Sequence, residues 1–477
     1  MHKQQPSSIV KKHFIISLLF FNALANPYCN GQNSLPDSIT QKLKAAIADF
    51  KNKTESQSIV VSIVHDQDMI FSESLGYADL ENKIPATIDT RYPICSITKV
   101  FTATMYMQLV ERNVIGLNDN VIKYIPEYKV KLFSPNSSPT TLLQLATHTS
   151  GLPRNSNADL NVTVASDRWL LNGGKDSMKW FSTNKEILNS LQYMSIEYPP
   201  YHYLSPNDRH YSNLGYTLLG IAIERASKIE YSKYLRDNIF KPLKLESTGF
   251  LNEPGIKPEI ACGYWYNDST KTYVKTPYID INAAIYPGGM YSTAKDLSKF
   301  ISFQFQTNSI VAQKVLSYDR RAMMRFSKIA WKPSYPLVIH EGAHLGYRCI
   351  VALYPDLNLG WVILTNAHGI NFSKLNSQIR DIMAPVYRKT EIGGLEKFVG
   401  TYKLSDGNGS LKIYLKNERL YSTYLEDLLI DKPLISEGPY QYRIDSNNGN
   451  SIYYEFLPDE NLNIKLLNMG QLVWIKE

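Results

Sequence analysis

The segment SITKVFTATMYMQLVER, residues 96–112, constrains the fold more than any other part of this 477-residue chain. It contains neither glycine nor proline, and Val100, Met107 and Val110 recur near helical spacing with Phe101, Thr104 and Met105. The spacing predicts a helix from Ser96 to Arg112 that Gly116 ends. A helix with so apolar a body must be covered by the rest of the chain. Yet a lysine, Lys99, stands in its first turn, three residues after Ser96.

One helical turn brings positions i and i+3 onto the same face, and a helix N-terminus supplies free backbone N–H groups and a partial positive charge. A serine hydroxyl is a poor nucleophile unless a base takes its proton. Lysine serves as that base only where burial or nearby cations lower its pKa from about 10.4. The apolar surroundings of Lys99 therefore read as a functional feature; the plainer reading is a lysine that snorkels to solvent. The spacing alone is a weak signal, because S-x-x-K occurs at Ser8/Lys11, Ser96/Lys99, Ser182/Lys185 and Ser292/Lys295. Only Ser96/Lys99 opens an apolar helix directly after an extended segment, residues 91–95.

Two further stretches carry candidate chemistry. Tyr211-Ser212-Asn213 heads a second helix, 211–228, whose Leu214, Leu218, Ile221 and Ala222 suit one buried face. Tyrosine can relay protons and an asparagine amide can hold a carbonyl, although the triplet also suits an N-capping turn. His340-Glu341-Gly342 follows a strand, with a second H-x-G, His344-Leu345-Gly346, beside it. Glycine on a strand permits close approach of a ligand backbone.

Period-two patterns mark both ends of the main body. Residues 57–80 read as two strands joined at Asp66-Gln67-Asp68, and YPLVIHEG, YRCIVALYPD and LGWVILTN as three more, the last two joined by a turn from Pro355 to Leu359. A helix near 372–388 follows. Between them lie a helix within 140–153, stopped by Gly151 and Pro153, and a long aromatic insertion, 154–205, with Trp169, Trp180, Tyr193, Tyr198, Tyr201 and Tyr203. Gly393-Gly394 reads as a linker to an almost wholly β segment, 395–477, expected to be a small sandwich or barrel.

The N-terminus has the pattern of a leader. Lys11-Lys12 precede the apolar run Phe14 to Ala25, and Ala23-Leu24-Ala25 supplies small-x-small, so residues 1–25 read as a signal peptide. The protein is expected to be exported, periplasmic or secreted, rather than lipid-anchored at Cys29. No later apolar run is long enough to predict a transmembrane span. The net charge of +7 includes three lysines of the leader, and the remaining +4 makes no case for nucleic acid. Four cysteines form no CxxC or Cys/His cluster that suggests a metal. Cys262 and Cys349 either pair or stay as buried thiols.

Taken in order, S-x-x-K, Y-x-N and H-x-G resemble the motifs of the serine β-lactamase and D,D-peptidase-like family, most of all class C β-lactamases, their penicillin-binding relatives and related esterases. YPICSITKVFTATMYMQLVE is similar to the family's nucleophile helix. LLQLATHTSGLP, YSNLGYTLLGIAIERAS, PGGMYSTAKDLSKF and HEGAHLGYRCIVALYPDLNLGWVILTN follow in the family's order, so the resemblance covers roughly residues 40–385. It implies an α+β fold over residues 37–390, an antiparallel sheet flanked by helices beside a mostly helical lobe, with the site between them. LEKFVGTYKL resembles the start of a lipocalin-like β-domain, here 395–477.

The resemblance also implies roles. Ser96 would form an acyl-enzyme on an amide or ester: a β-lactam, a D-amino-acid peptide or an ester. Lys99 and Tyr211 would share the base and acid work, and Tyr211 with water would deacylate. Asn213 would orient substrate and Lys99, His340 would help hold an anionic or polar substrate group, and Gly342 would give clearance. The backbone N–H groups of Ser96 and Ala343 would form the oxyanion hole. Gly346-Tyr347 places the third motif at His340 rather than His344. Histidine there, where many members have lysine, resembles the peptidase and esterase branches. No cofactor or metal is implied, the partner is a small-molecule or peptide substrate, and oligomeric state is open. The competing reading is a catalytically silent penicillin-binding or receptor-like module; Ser96, Lys99 and Tyr211 kept together favour the enzyme, because a receptor needs the pocket but not the base.

Overall fold

The run SIVVSIVH has no solvent face. It forms β1 (Ser58–His65), central in a seven-stranded antiparallel sheet with β2 (Asp68–Asp79), β3 (Ile84–Pro85), β4 (Lys332–Ser334), β5 (Leu337–His344), β6 (Tyr347–Tyr354) and β7 (Leu359–Thr365), ordered β3-β2-β1-β7-β6-β5-β4. A computed structural model describes residues 35–159, 182–200, 210–267, 269–278, 281–307, 309–334 and 336–387. Of the C-terminal segment it describes 395–404, 409–417, 419–424, 432–436, 441–445, 451–458, 464–468 and 472–476. The leader, Cys29, the Gly393-Gly394 linker and the part of the aromatic insertion with Trp169, Trp180, Tyr201 and Tyr203 lie outside these residues.

Helices α1 (Asp37–Lys53), α2 (Thr98–Glu111), α3 (Leu142–Thr147), α4 (Asn213–Ser227), α5 (Ala294–Phe305) and α6 (Ser373–Tyr387) position the sheet and the site. Ile59, Val61 and Ile63 of β1, with Trp361 and Ile363 of β7, pack on one face under α1 and α6. The Trp361 indole N–H donates to Asn376 Oδ1 at 2.8 Å and ties the sheet to α6. Val60, Val64, Val362 and Leu364 point the other way, into the core shared with α5 and the helical lobe. Burial on both faces explains why β1 is nearly continuous in apolar residues.

α2 runs through that lobe, and every residue from Thr98 to Val110 is buried. An all-round apolar helix is a core helix. Its ends differ from the expected ones. Cys95–Ile97 form a 3-10 turn ahead of it, and it stops at Glu111, before Gly116. Asn113 takes a left-handed φ of 54°, while Asn113 N–H donates to Val110 O and Val114 N–H to Leu109 O. Asparagine tolerates this conformation well enough to close a helix that sequence spacing assigned to glycine.

The C-terminal strands pair as one nine-stranded antiparallel sheet around Phe398, Tyr402, Ile413, Tyr442 and Phe456. Among the described residues it is not a closed barrel, which corrects that alternative. Its two edges, Lys432–Pro433 and Ile435–Ser436, adjoin in the chain but do not pair with each other, and Pro433 has no N–H to donate. Among the described residues no helix is long and apolar enough to cross a membrane.

The β6–β7 turn holds a buried acid. Neither carboxylate oxygen of Asp356 meets a hydrogen-bond donor among the described residues, and burial pushes its pKa up to about 7. Between about pH 4 and pH 7 the folded chain keeps a proton there that the unfolded chain has lost, so stability falls as pH rises through that window. Asp356→Asn is therefore expected to raise Tm at pH 8 and to leave it nearly unchanged at pH 4. Equal shifts at both pH values in a thermal melt would contradict the assignment.

Candidate active site

Ser96 sits in the 3-10 turn that leads into α2, and the turn is under backbone strain. Cys95, the first residue of the turn, has a φ of 49°, in the left-handed region that a residue with a Cβ rarely adopts. Glycine in β5 makes the turn possible. A Cβ on Gly342 would lie 2.3 Å from Cys349 Sγ, 2.4 Å from the Ile94 carbonyl oxygen and 3.1 Å from Cys95 Cβ. The close approach expected at Gly342 is thus made by the chain that carries Ser96.

Lys99 is fully buried on the first turn of α2. Its ammonium donates to Ser96 Oγ at 3.1 Å, Asn213 Oδ1 at 2.9 Å and the Pro287 carbonyl at 2.8 Å. The three acceptors are neutral, so none of them offsets the burial of a charge as a carboxylate would. Asn213 Nδ2 in turn donates to Asn155 Oδ1 at 3.0 Å. Asn213 is set at the head of α4 by Ser212, whose Oγ accepts from the Gly215 N–H at 2.9 Å. Ser212 caps the helix, as the capping reading of the Tyr-Ser-Asn triplet expects, and the cap places Asn213 against Lys99.

Tyr211 joins from the other side. Lys99 Nζ lies 4.9 Å from the centroid of its ring, and the Arg154 guanidinium carbon 5.1 Å. The His148 ring packs on it at 4.4 Å. His148 is where α3 stops, in a left-handed turn with φ 60°, before Gly151 and Pro153. Its Nδ1 accepts the Ser212 N–H at 3.1 Å. The end of α3 is therefore set by a histidine that braces Tyr211 and the α4 cap at once.

A model of the β-lactamase family matches residues 43–382. This chain belongs to the β-lactamase family. β-Lactamase-like protein 2 of Dictyostelium discoideum is 32% identical over 259 residues, 53% of this chain and 43% of that relative, so the match spans less than half its length. Protein flp of Staphylococcus aureus strain MRSA252 is 26% identical over 363 residues, 72% of this chain and 67% of flp. In fold the chain is similar to the octameric penicillin-binding protein homologue from Pyrococcus abyssi, with a TM-score of 0.59 and 24% identity over 91% of this chain and 99% of that one. The family fold is the α+β arrangement described above, a mixture of helix and antiparallel sheet.

A cavity of about 710 Å³, open mouth included, lies against Ser96. Asn213 and Ala343 line it. His340 does not: it is 4% exposed, and its Nδ1 lies 3.0 Å from the Glu341 carbonyl oxygen. Direct contact between His340 and a substrate group thus finds no support in its placement. Among the described residues the histidine that lines the cavity is His344, four residues on along the same face of β5. Its Nδ1 accepts the Leu345 N–H at 2.7 Å, which leaves Nε2 to carry the proton of a neutral ring. Burial, with His368 and Arg348 nearby, holds its pKa down to about 4.

Asp159 also lines the cavity, and so do Ile187, Leu214, Leu251, Ile281 and Pro287. Sequence reasoning singled out none of Asn155, Asp159 or His148. His148 stood in a quoted motif, so its signal was available; the other two come from a segment without periodicity. Cys262 and Cys349 are not paired: Cys95, Cys262 and Cys349 are free thiols, and Cys349 donates to the Ile94 carbonyl at 3.1 Å.

Proposed function

We propose that this protein is a serine hydrolase that forms an acyl-enzyme through Ser96 on an amide or ester. The observation that carries the reading is the contact of Ser96 Oγ with a buried Lys99 that also grips Asn213, at the edge of a cavity. Family membership supports hydrolase chemistry at the general level.

Lys99, relieved of its proton, takes the Ser96 proton as Oγ attacks the carbonyl carbon. Tyr211, its ring against Lys99, passes the proton to the leaving group and later draws one from the deacylating water. Asn213 keeps Lys99 aimed and offers its amide to the substrate. The Ser96 and Ala343 N–H groups receive the oxyanion, each worth about 3 kcal/mol in the transition state. Among the described residues, no strand pairs with the outer edge of β5 from His340 onward, since β4 pairs only with Leu337, Val338 and Ile339. An open edge suits a backbone donor such as Ala343. His340 enters through the strand that carries Ala343. The leader pattern of residues 1–25 supports export.

The test is labelling of the full chain with a fluorescent fluorophosphonate and a fluorescent penicillin, beside Ser96→Ala. Fluorophosphonate labelling that Ser96→Ala abolishes is expected. Labelling that survives in Ser96→Ala would overturn the nucleophile, and penicillin binding without any ester turnover would move the reading to a silent receptor.

A further inference from the structure

Among the described residues, the lining of the cavity beside Ser96 carries one formal charge, and it is negative. Asp159 closes the 3-10 turn Asn157–Asp159, where its N–H is held by Ser156 O at 2.9 Å and Ser156 Oγ at 3.1 Å. One carboxylate oxygen accepts the Ser182 N–H at 2.7 Å, and Ser182 Oγ donates to Ala158 O at 3.0 Å. The carboxylate is thus fixed in place on a lining it shares with the apolar Ile187, Leu214, Leu251 and Ile281 and the neutral polar Asn155, Asn213 and Thr217. Among the described residues the lining contains no lysine and no arginine. Lys99 lies behind Ser96 with its donors on three oxygens, and Arg154 stands over Tyr211 without lining the cavity. His344 faces in as a neutral ring, a hydrogen-bond donor rather than a cation.

A substrate carboxylate brought into such a cavity would lose its water, meet no cation among the described lining residues and face Asp159. A substrate ammonium would meet a carboxylate in a largely desolvated cavity, where a charge-assisted hydrogen bond is strong. The part of the substrate that the cavity must hold longest is the acyl group, which stays on Ser96 after the leaving group has gone. We infer that Asp159 is a specificity residue, and that the acyl groups this site accepts best are aliphatic chains bearing a primary amine rather than a carboxylate. The inference rests on the hydrolase reading of Ser96.

The experiment compares kcat/KM of the full chain on three sets of 4-nitrophenyl esters. The cationic set is 3-aminopropanoate and 6-aminohexanoate, the neutral isosteres are butanoate and heptanoate, and the anionic member is the succinate half-ester. Wild type is expected to prefer at least one amine ester over its isostere by about ten- to a hundredfold, and to process the half-ester least. Asp159→Asn keeps an acceptor for the Ser182 N–H. It is expected to erase the preference for the amine while leaving kcat/KM on the neutral esters within about twofold. A wild type that labels with fluorophosphonate yet shows no preference for the amine overturns the inference alone. An equal loss on amine and neutral esters in Asp159→Asn assigns that residue to loop structure and also overturns it. Absence of labelling and of all turnover overturns the hydrolase reading together with the inference.

Discussion

Lys99→Met is expected to lower ester turnover by about 10³-fold or more while leaving a folded chain. Methionine matches the apolar stem of the lysine in a helix whose every residue from Thr98 to Val110 is buried, and only the amine is lost. That loss strips Asn213 Oδ1 and the Pro287 carbonyl of a donor, at about 1–3 kcal/mol each. It also removes a buried charge, which works in the opposite direction. Tm should therefore move by a few degrees at most, against a near-complete loss of kcat. Turnover within tenfold of wild type in a folded Lys99→Met would remove lysine from the proton transfer and leave Tyr211 as the sole base.

Gly342→Ala carries the second large effect, and it acts on structure first. The added methyl would sit 2.4 Å from a backbone oxygen, Ile94 O, as well as 2.3 Å from Cys349 Sγ. The sulfur belongs to a side chain that can be trimmed; the carbonyl belongs to the turn that presents Ser96. Overpacking of this kind costs about 1–3 kcal/mol, and a displacement of the nucleophile near 1 Å costs about 10² in rate. Adding Cys349→Ala should restore part of the stability and little of the activity, because the clash with Ile94 remains. Full recovery of activity in the double variant, measured beside the thermal melt, would mean that the turn does not lean on β5.

Local periodicity served well where burial is local. SIVVSIVH, YRCIVALYPD and LGWVILTN became β1, β6 and β7 within a residue or two of the expected limits, and the helix near 372–388 became α6. What periodicity does not encode is partnership. Nothing in β1 announces that Ile63 lies opposite Trp361 or Ile59 opposite Thr365, and β1 is central for that reason. Helix ends were misplaced where a non-glycine residue took a left-handed conformation, at Asn113 and His148.

The site divides along the same line. Ser96 and Lys99 are one helical turn apart, so their contact could be read from spacing. Asn213 comes to Lys99 across 114 positions, and its relevance rested on a motif order that resembles a family. Asp159 had neither spacing nor motif in its favour, and His344 stood in a second H-x-G that was set aside for His340; the importance of both lies in sharing a cavity with Ser96, a property of the folded chain. The preference for His340 over His344 followed the motif; the placement puts His344, not His340, on the cavity wall.

The account depends on an amine in a dry helix turn making one hydroxyl reactive. Peptide mass spectrometry of the wild type and Lys99→Met after brief exposure to an alkyl fluorophosphonate reads that directly. The account predicts a single phosphonyl adduct on Ser96 in the wild type and none in Lys99→Met over the same interval. An adduct on another residue, or equal modification of Ser96 in both proteins, would contradict it.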